Sequence, residues 1–118
     1  MSLVKVTQAD GRIPVTVFEL QDRVNLGNTA ELEQAGKEAY ASGTRDLVVD
    51  ISKVDSFTSA GIRALMSLYK LLAGDEGQKS KHVKLVSPTS YVREVLEISG
   101  VANSIEIYDT LDEAIASF

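Results

Sequence analysis

The chain has 118 residues, 44% of them hydrophobic and 25% charged, with a net charge of −5; this is the make-up of one globular domain able to close a core of its own. Its acidity and the lack of a Lys/Arg cluster exclude a nucleic-acid backbone as partner, because such binding displaces counterions with clustered cations. No apolar run approaches the roughly 18–20 residues of a membrane span. No signal-peptide stretch follows Met1, and the absence of cysteine excludes disulfides and thiolate metal sites. The expected setting is the cytoplasm, with no direct membrane insertion. Ser2-Leu3 is compatible with a cloning scar on a domain cut from a longer protein.

In chain order, Val4–Thr7 and Val15–Leu20 read as strands around the Asp10-Gly11 turn signal, close enough to form a hairpin. Asn28-Thr29-Ala30-Glu31 opens a helix, with Asn28 as N-cap and Glu31 reaching back to it. Leu32, Ala35 and Ala39 follow at helical spacing, and Ser42-Gly43 ends the run. Leu47–Ile51 is almost continuously apolar, as in a strand buried on both faces. A second helix carries Ile62, Leu65, Met66, Tyr69 and Leu72 on one stripe and Arg63, Ser67 and Lys70 on the other side. Met66 and Tyr69 are thus expected in the core. Gly74–Ser80 reads as a surface loop. Val83–Val86 is the next strand, and Ser87-Pro88 opens a third helix with Val92, Val95 and Leu96 inside and Gly100 as its stop. Ile105–Tyr108 is the last strand, and Asp109 caps a short helix carrying Leu111, Ala114, Ile115 and Phe118.

This order, β-β-α-β-α-β-α-β-α, predicts a single α/β domain over residues 1–118. Its sheet is mixed and mostly parallel, with an N-terminal antiparallel hairpin and about four helices packed on it.

Catalysis has little to stand on. His82 is the single histidine, beside Lys81 at the start of a predicted strand, and reads as a solvated edge residue. Without cysteine or further histidines, no nucleophilic triad or zinc set is marked. The 17 carboxylates offer no assignable pair, and neither a GxGxxG nor a GxxxxGK[ST] run occurs. We therefore expect no catalytic residue, no cofactor, no metal and no enzymatic activity.

The informative segment is Asp50–Ile62, in which a buried strand runs into a polar loop and then an amphipathic helix. Ser56, Thr58 and Ser59 crowd that loop. Ser59 falls at the helix opening, where free N–H groups and the positive dipole end favour negative charge. Ala60 and Gly61 are small enough for a partner surface to approach the hydroxyl. Two readings stay open on these facts: Thr58 or Ser59 caps the helix, or Ser59 accepts a phosphate.

The segment resembles the signature of the STAS family, the bacterial anti-sigma-factor antagonists. Such proteins run an apolar strand into Asp-Leu-Ser-x-Val, then two apolar residues, then Asp-Ser-Ser-Gly and an apolar residue opening a helix. Asp50-Ile51-Ser52-Lys53-Val54 matches the first part, and Ser59-Ala60-Gly61-Ile62 matches the last. The similarity extends from Val17–Leu20 and Asn28–Ala39 to Val83–Val86, Val92–Gly100 and Thr110–Ala114. The resemblance implies a STAS-like fold and an anti-sigma factor antagonist that binds a GHKL-type anti-sigma factor serine kinase. It also implies phosphorylation of Ser59 as the control on binding, reversed by a PP2C-type phosphatase. Asn25, Thr58, Ser59, Ala60, Gly61 and Arg63 then form the partner-binding set, Arg63 lying one turn from Ser59.

Thr58 stands where the family usually has Asp. Asp22 and Asn25 stand where it has Gly and Asp, so the docking loop Gln21–Leu26 is atypical. Reading Asp55-Ser56 as the Asp-Ser pair fails, because Gly61-Ile62 would come three residues late. The alternative is a STAS scaffold without phosphoswitching, or a regulatory domain of a sensor complex or of an anion or lipid transporter. The outward helix faces would accommodate a weak homodimer, which nothing in the pattern demands.

Overall fold

The computed structural model describes residues 3–73 and 80–118; the expected surface loop Gly74–Ser80 lies outside them except for the backbone of Ser80. Strand β1 (Val4–Asp10) and strand β2 (Pro14–Leu20) form an antiparallel hairpin, Val4 opposite Leu20 and Asp10 opposite Pro14. Helix α1 (Thr29–Ala41), strand β3 (Leu47–Asp50), helix α2 (Ser59–Ala73) and strand β4 (Ser80–Val86) follow. Helices α3 (Ser90–Ile98) and α4 (Val101–Ser104), strand β5 (Ile105–Tyr108) and helix α5 (Leu111–Ala116) complete the chain.

The five strands lie in sequence order, β2 to β5 all parallel. When parallel strands follow one another in order, right-handed crossovers must all pass over the same face. That is what is found. Phe18, Leu20, Val49, Ile51 and Leu85 point toward α1–α4 and join Leu32, Leu65, Leu68, Val92 and Leu96 in the main core. The opposite face holds a smaller cluster, Val15, Val17, Val48, Val86 and Ala114, under α5 alone. Met66 and Tyr69 pack partly buried against the main core, as their stripe predicted.

Among the described residues there are five helices where about four were expected; the addition is α4, one turn that starts after the left-handed Gly100 (φ 87°). A four-residue turn is shorter than any periodic signal. β1 runs three residues beyond Thr7 because an edge strand needs no apolar alternation, and most of its residues are exposed. Three expected caps are corrected. Asn28 makes no side-chain cap; its Oδ1 accepts from the Asn25 amide (2.9 Å) and its Nδ2 donates to the Arg23 carbonyl (2.8 Å), so it braces the loop before α1. Glu31 accepts from the Val4 amide of β1 at 2.9 Å, and the Asn28 amide it was expected to meet donates to the Asn25 carbonyl at 3.1 Å. Thr110, not Asp109, caps α5 by accepting from Glu113 N, while Asp109 accepts from Arg93 at 2.8 Å. Thr89 likewise caps α3, two residues past Ser87.

Two charged features were invisible in the sequence. Lys84 sits in β4 with only 3% of its surface exposed. Its Nζ donates to the Ser117 hydroxyl (2.6 Å) and carbonyl (3.2 Å), lies 3.3 Å from Glu106 and rides 4.2 Å from the Phe118 ring centre. His82 is part-buried within β4, its Nδ1 3.0 Å from Asp46 Oδ1; it is not the solvated edge residue expected of a strand start.

Candidate functional site

Two loops meet above the carboxyl ends of β2 and β3. The β2–α1 loop (21–28) and the β3–α2 loop (51–58) are joined by a short parallel bridge between Val24 and Phe57. Val24 N donates to the Ser56 carbonyl and Thr58 N to the Val24 carbonyl, both at 3.3 Å. Val24, Val54 and Phe57, apolar residues inside polar loops, are buried beneath the bridge. They give the two loops an apolar floor over which their backbone groups pair with one another. These anchors were absent from the sequence-derived set, although a lone apolar residue in a polar loop is the signal that marks them.

Gly61 lets the two loops close. A Cβ there would lie 2.7 Å from Phe57 Cδ1 and 3.0 Å from Val24 Cγ1, closer than carbons tolerate. Asn25 builds the first loop: its Oδ1 accepts from Gly27 N (2.8 Å) and its carbonyl accepts from the Asn28 and Thr29 amides. Asp50 folds back to accept from Ser52 N at 2.9 Å. Lys53 lies 2.9 Å from Glu19 and 3.3 Å from Gln21, tying the second loop to the end of β2. The bond from Lys53, with help from Gln21, holds the Glu19 carboxyl below the usual glutamate range.

At the start of α2 the hydroxyls divide their labour. Thr58 is the cap: its Oγ1 accepts from Gly61 N (3.3 Å) and its carbonyl from Ile62 N (3.0 Å). Ser59 is the first helical residue, exposed, and its hydroxyl takes no part in the cap. Thr58 therefore does the work of an N-cap Asp without its charge. Ala60 and Gly61 face inward, so their contribution to the surface is their small size. Arg63 is exposed one turn on, and its guanidinium makes no ion pair among the described residues. Arg23 and Asp55 face each other across the loops at 3.6 Å, both well exposed. Leu26, 79% exposed, adds an apolar point that the sequence reading passed over.

The structure thus brings Asn25, Thr58, Ser59, Ala60, Gly61 and Arg63 into one neighbourhood, three of them outward and three supporting. None of the four surface hollows found among the described residues is lined by these residues. Among the described residues, no group of three His, Asp or Glu side chains is placed to hold a metal ion. No helix among them is long and apolar enough to cross a membrane. The arrangement suits contact with another protein surface.

The family model for the STAS domain matches residues 5–114. The chain belongs to the STAS domain family. The match spans every strand and helix except the ends of β1 and α5, and it bears out the likeness read from Asp50–Ile62. STAS domains of this kind are regulatory binding domains and not enzymes. BtrV of Bordetella bronchiseptica, assigned as an anti-sigma factor antagonist, is 31% identical over 99 residues, covering 84% of this chain and 82% of BtrV. The anti-sigma-F factor antagonist RsfB of Mycobacterium tuberculosis is 28% identical over 114 residues, 95% of this chain and 87% of RsfB. A crystal structure of an anti-sigma factor antagonist from Mycobacterium paratuberculosis superposes with a TM-score of 0.80 at 25% identity, covering 97% of this STAS domain and 91% of that chain.

Proposed function

We propose that this STAS domain is an anti-sigma factor antagonist: in the cytoplasm it binds a GHKL-type anti-sigma factor serine kinase and releases it when Ser59 is phosphorylated. The observation that carries the reading is the division at the start of α2, where Thr58 takes the capping bond and leaves the Ser59 hydroxyl exposed and uncommitted. The names of BtrV and RsfB support the antagonist part.

The physics of the switch is local. Phosphate on Ser59 adds about −1.5 to −2 charges at neutral pH, at a helix start whose amides tolerate them. The free domain is little disturbed. A bound partner surface is disturbed much more, because charge in a desolvated interface is costly unless it is paired. Arg63, one turn on and without an ionic partner among the described residues, meets the partner while Ser59 is unmodified and would turn to the phosphate after modification. A PP2C-type phosphatase restores the binding form.

The test is incubation of the chain and of Ser59→Ala with a cognate GHKL-type anti-sigma factor serine kinase and ATP, read by intact mass. One added phosphate on the wild type and none on the variant supports the reading. Kinase binding without any added phosphate would move the domain to the class of non-switching STAS scaffolds, which Thr58 in place of the usual Asp favours.

A further inference from the structure

The sheet has two edges, and they are protected differently. β5 has four residues, while β1 has seven and no proline; long unguarded edges are the ones that accept another strand. Only one side of β1 is used by its ladder. Gln21 N donates to the Leu3 carbonyl at 2.8 Å, which makes Leu3 and Gln21 a hydrogen-bonded pair. Carrying that alternation along the register, Lys5, Thr7 and Ala9 turn their N–H and C=O groups toward β2, and Val6 and Gln8 turn theirs outward.

Two bonds fix the phase. Thr16, opposite Gln8, donates away from β1 to the Asp46 carbonyl at 3.0 Å. The Val4 amide points outward to Glu31 Oε2 at 2.9 Å. Glu31 thus occupies the first outward amide and leaves the next two. Beside them, between β1 and α1, runs a groove of about 220 Å³ whose walls include Val6, Gln8, Ala35 and Ala39. Val6 stands 51% exposed at its rim.

We propose that a second copy of this chain adds its own β1, antiparallel, to this edge, joining the two sheets across a two-fold axis. A register centred on Thr7 aligns the two strands: Thr7 opposes Thr7 of the second copy, Val6 opposes Gln8, Lys5 opposes Ala9 and Val4 opposes Asp10. The new ladder bonds are made at Val6 and Gln8, because the Val4 amide is held by Glu31. No like charges are opposed, and Thr–Thr pairs are favourable. The antiparallel sense brings the Lys5 end of one strand to the Asp10 end of the other, whereas a parallel sense would set Lys5 beside Lys5. The two Val6 side chains become diagonal neighbours and cover one another at the groove. The contact is isologous and closes at two copies. Strand pairing of this length buries less than the ~1,200 Å² of standard stable complexes, so the dimer forms only at high concentration. β1 lies two strands away from β3, and each copy keeps its own Ser59 loop.

The experiment is sedimentation velocity together with amide exchange by NMR, both over a wide concentration range. The expected result is a monomer that shifts to a dimer as concentration rises. Val6 and Gln8 amides should slow with it, while those of Lys5, Thr7 and Ala9 are protected throughout. Gln8→Pro removes an amide that no bond among the described residues uses, and Val6→Lys sets two cations diagonally across the axis. Both should abolish the dimer; Val6→Lys decides alone if the proline variant does not fold. A chain monomeric at every concentration, a dimer that survives both variants, or slowing confined to helix amides would overturn the proposal. So would Val6 and Gln8 amides that slow only when a different protein is added.

Discussion

The loop pair that carries Ser59 and the seat of α5 hold the chain together by opposite means. At the loop pair the main chain does the holding: Val24 exchanges bonds with Ser56 and Thr58 over a buried apolar floor. Polar side chains such as Arg23, Ser59 and Arg63 are left outside. At the seat of α5 the side chains do it, with Lys84 gripping Ser117 and Glu106, and His82 gripping Asp46 nearby. An exposed polar residue with no structural task is available for a partner; a buried one with several bonds is not. The difference separates function from stability in a domain too small to keep them far apart.

The sharpest way to break the comparison is at Lys84. Lys84→Ala removes the pin and leaves Ser117 and Glu106 without their cation. A loss of about 2–3 kcal/mol is expected in urea melts, while partner binding per folded molecule stays unchanged. Gly61→Ala comes next. Its methyl must displace Phe57 or Val24, at about 1–2 kcal/mol, with the Val24 and Thr58 amides exchanging faster. Thr58→Ala removes the cap and should cost about 1 kcal/mol. Thr58→Asp keeps the cap and should melt with the wild type. Arg63→Glu is expected to change stability by less than about 0.5 kcal/mol yet to weaken partner binding measurably; a lost fold would make Arg63 structural.

The smallest effect is a matter of pH. Glu19 titrates below the ordinary glutamate range because Lys53 bonds its carboxylate. A lowered folded pKa contributes stability above the unfolded value and loses it as pH falls through the folded one. Lys53→Ala should therefore melt below the wild type at neutral pH, and the gap should close in the acid range beneath the normal glutamate pKa.

Much of this was legible in the residues, for identifiable reasons. Leu47–Ile51 and the stripe from Ile62 to Leu72 are long enough for periodicity to declare strand and helix, and Asp50–Ile62 carries a spaced motif. The far half of β1 was missed because Gln8 and Asp10 lie on an exposed edge where no burial imposes a pattern. The caps were misplaced because Asn28 and Asp109 have stronger partners at a distance, the loop carbonyl of Arg23 and the guanidinium of Arg93. Lys84 could not be read at all: its burial depends on the last two residues folding back from α5, a contact between positions 33 apart. Within the site, the position of Ser59 was visible, but the choice of Thr58 as the cap required its hydroxyl to be seen against the Gly61 amide.

The central claim is that the face around Ser59 binds in one covalent state and not in the other. The most direct measurement is the affinity of the cognate kinase for the unphosphorylated chain and for the same chain phosphorylated at Ser59, by calorimetry in one buffer. The account predicts binding by the first and at least about 100-fold weaker binding by the second, a difference of roughly 2.7 kcal/mol. Equal affinities for the two would contradict it.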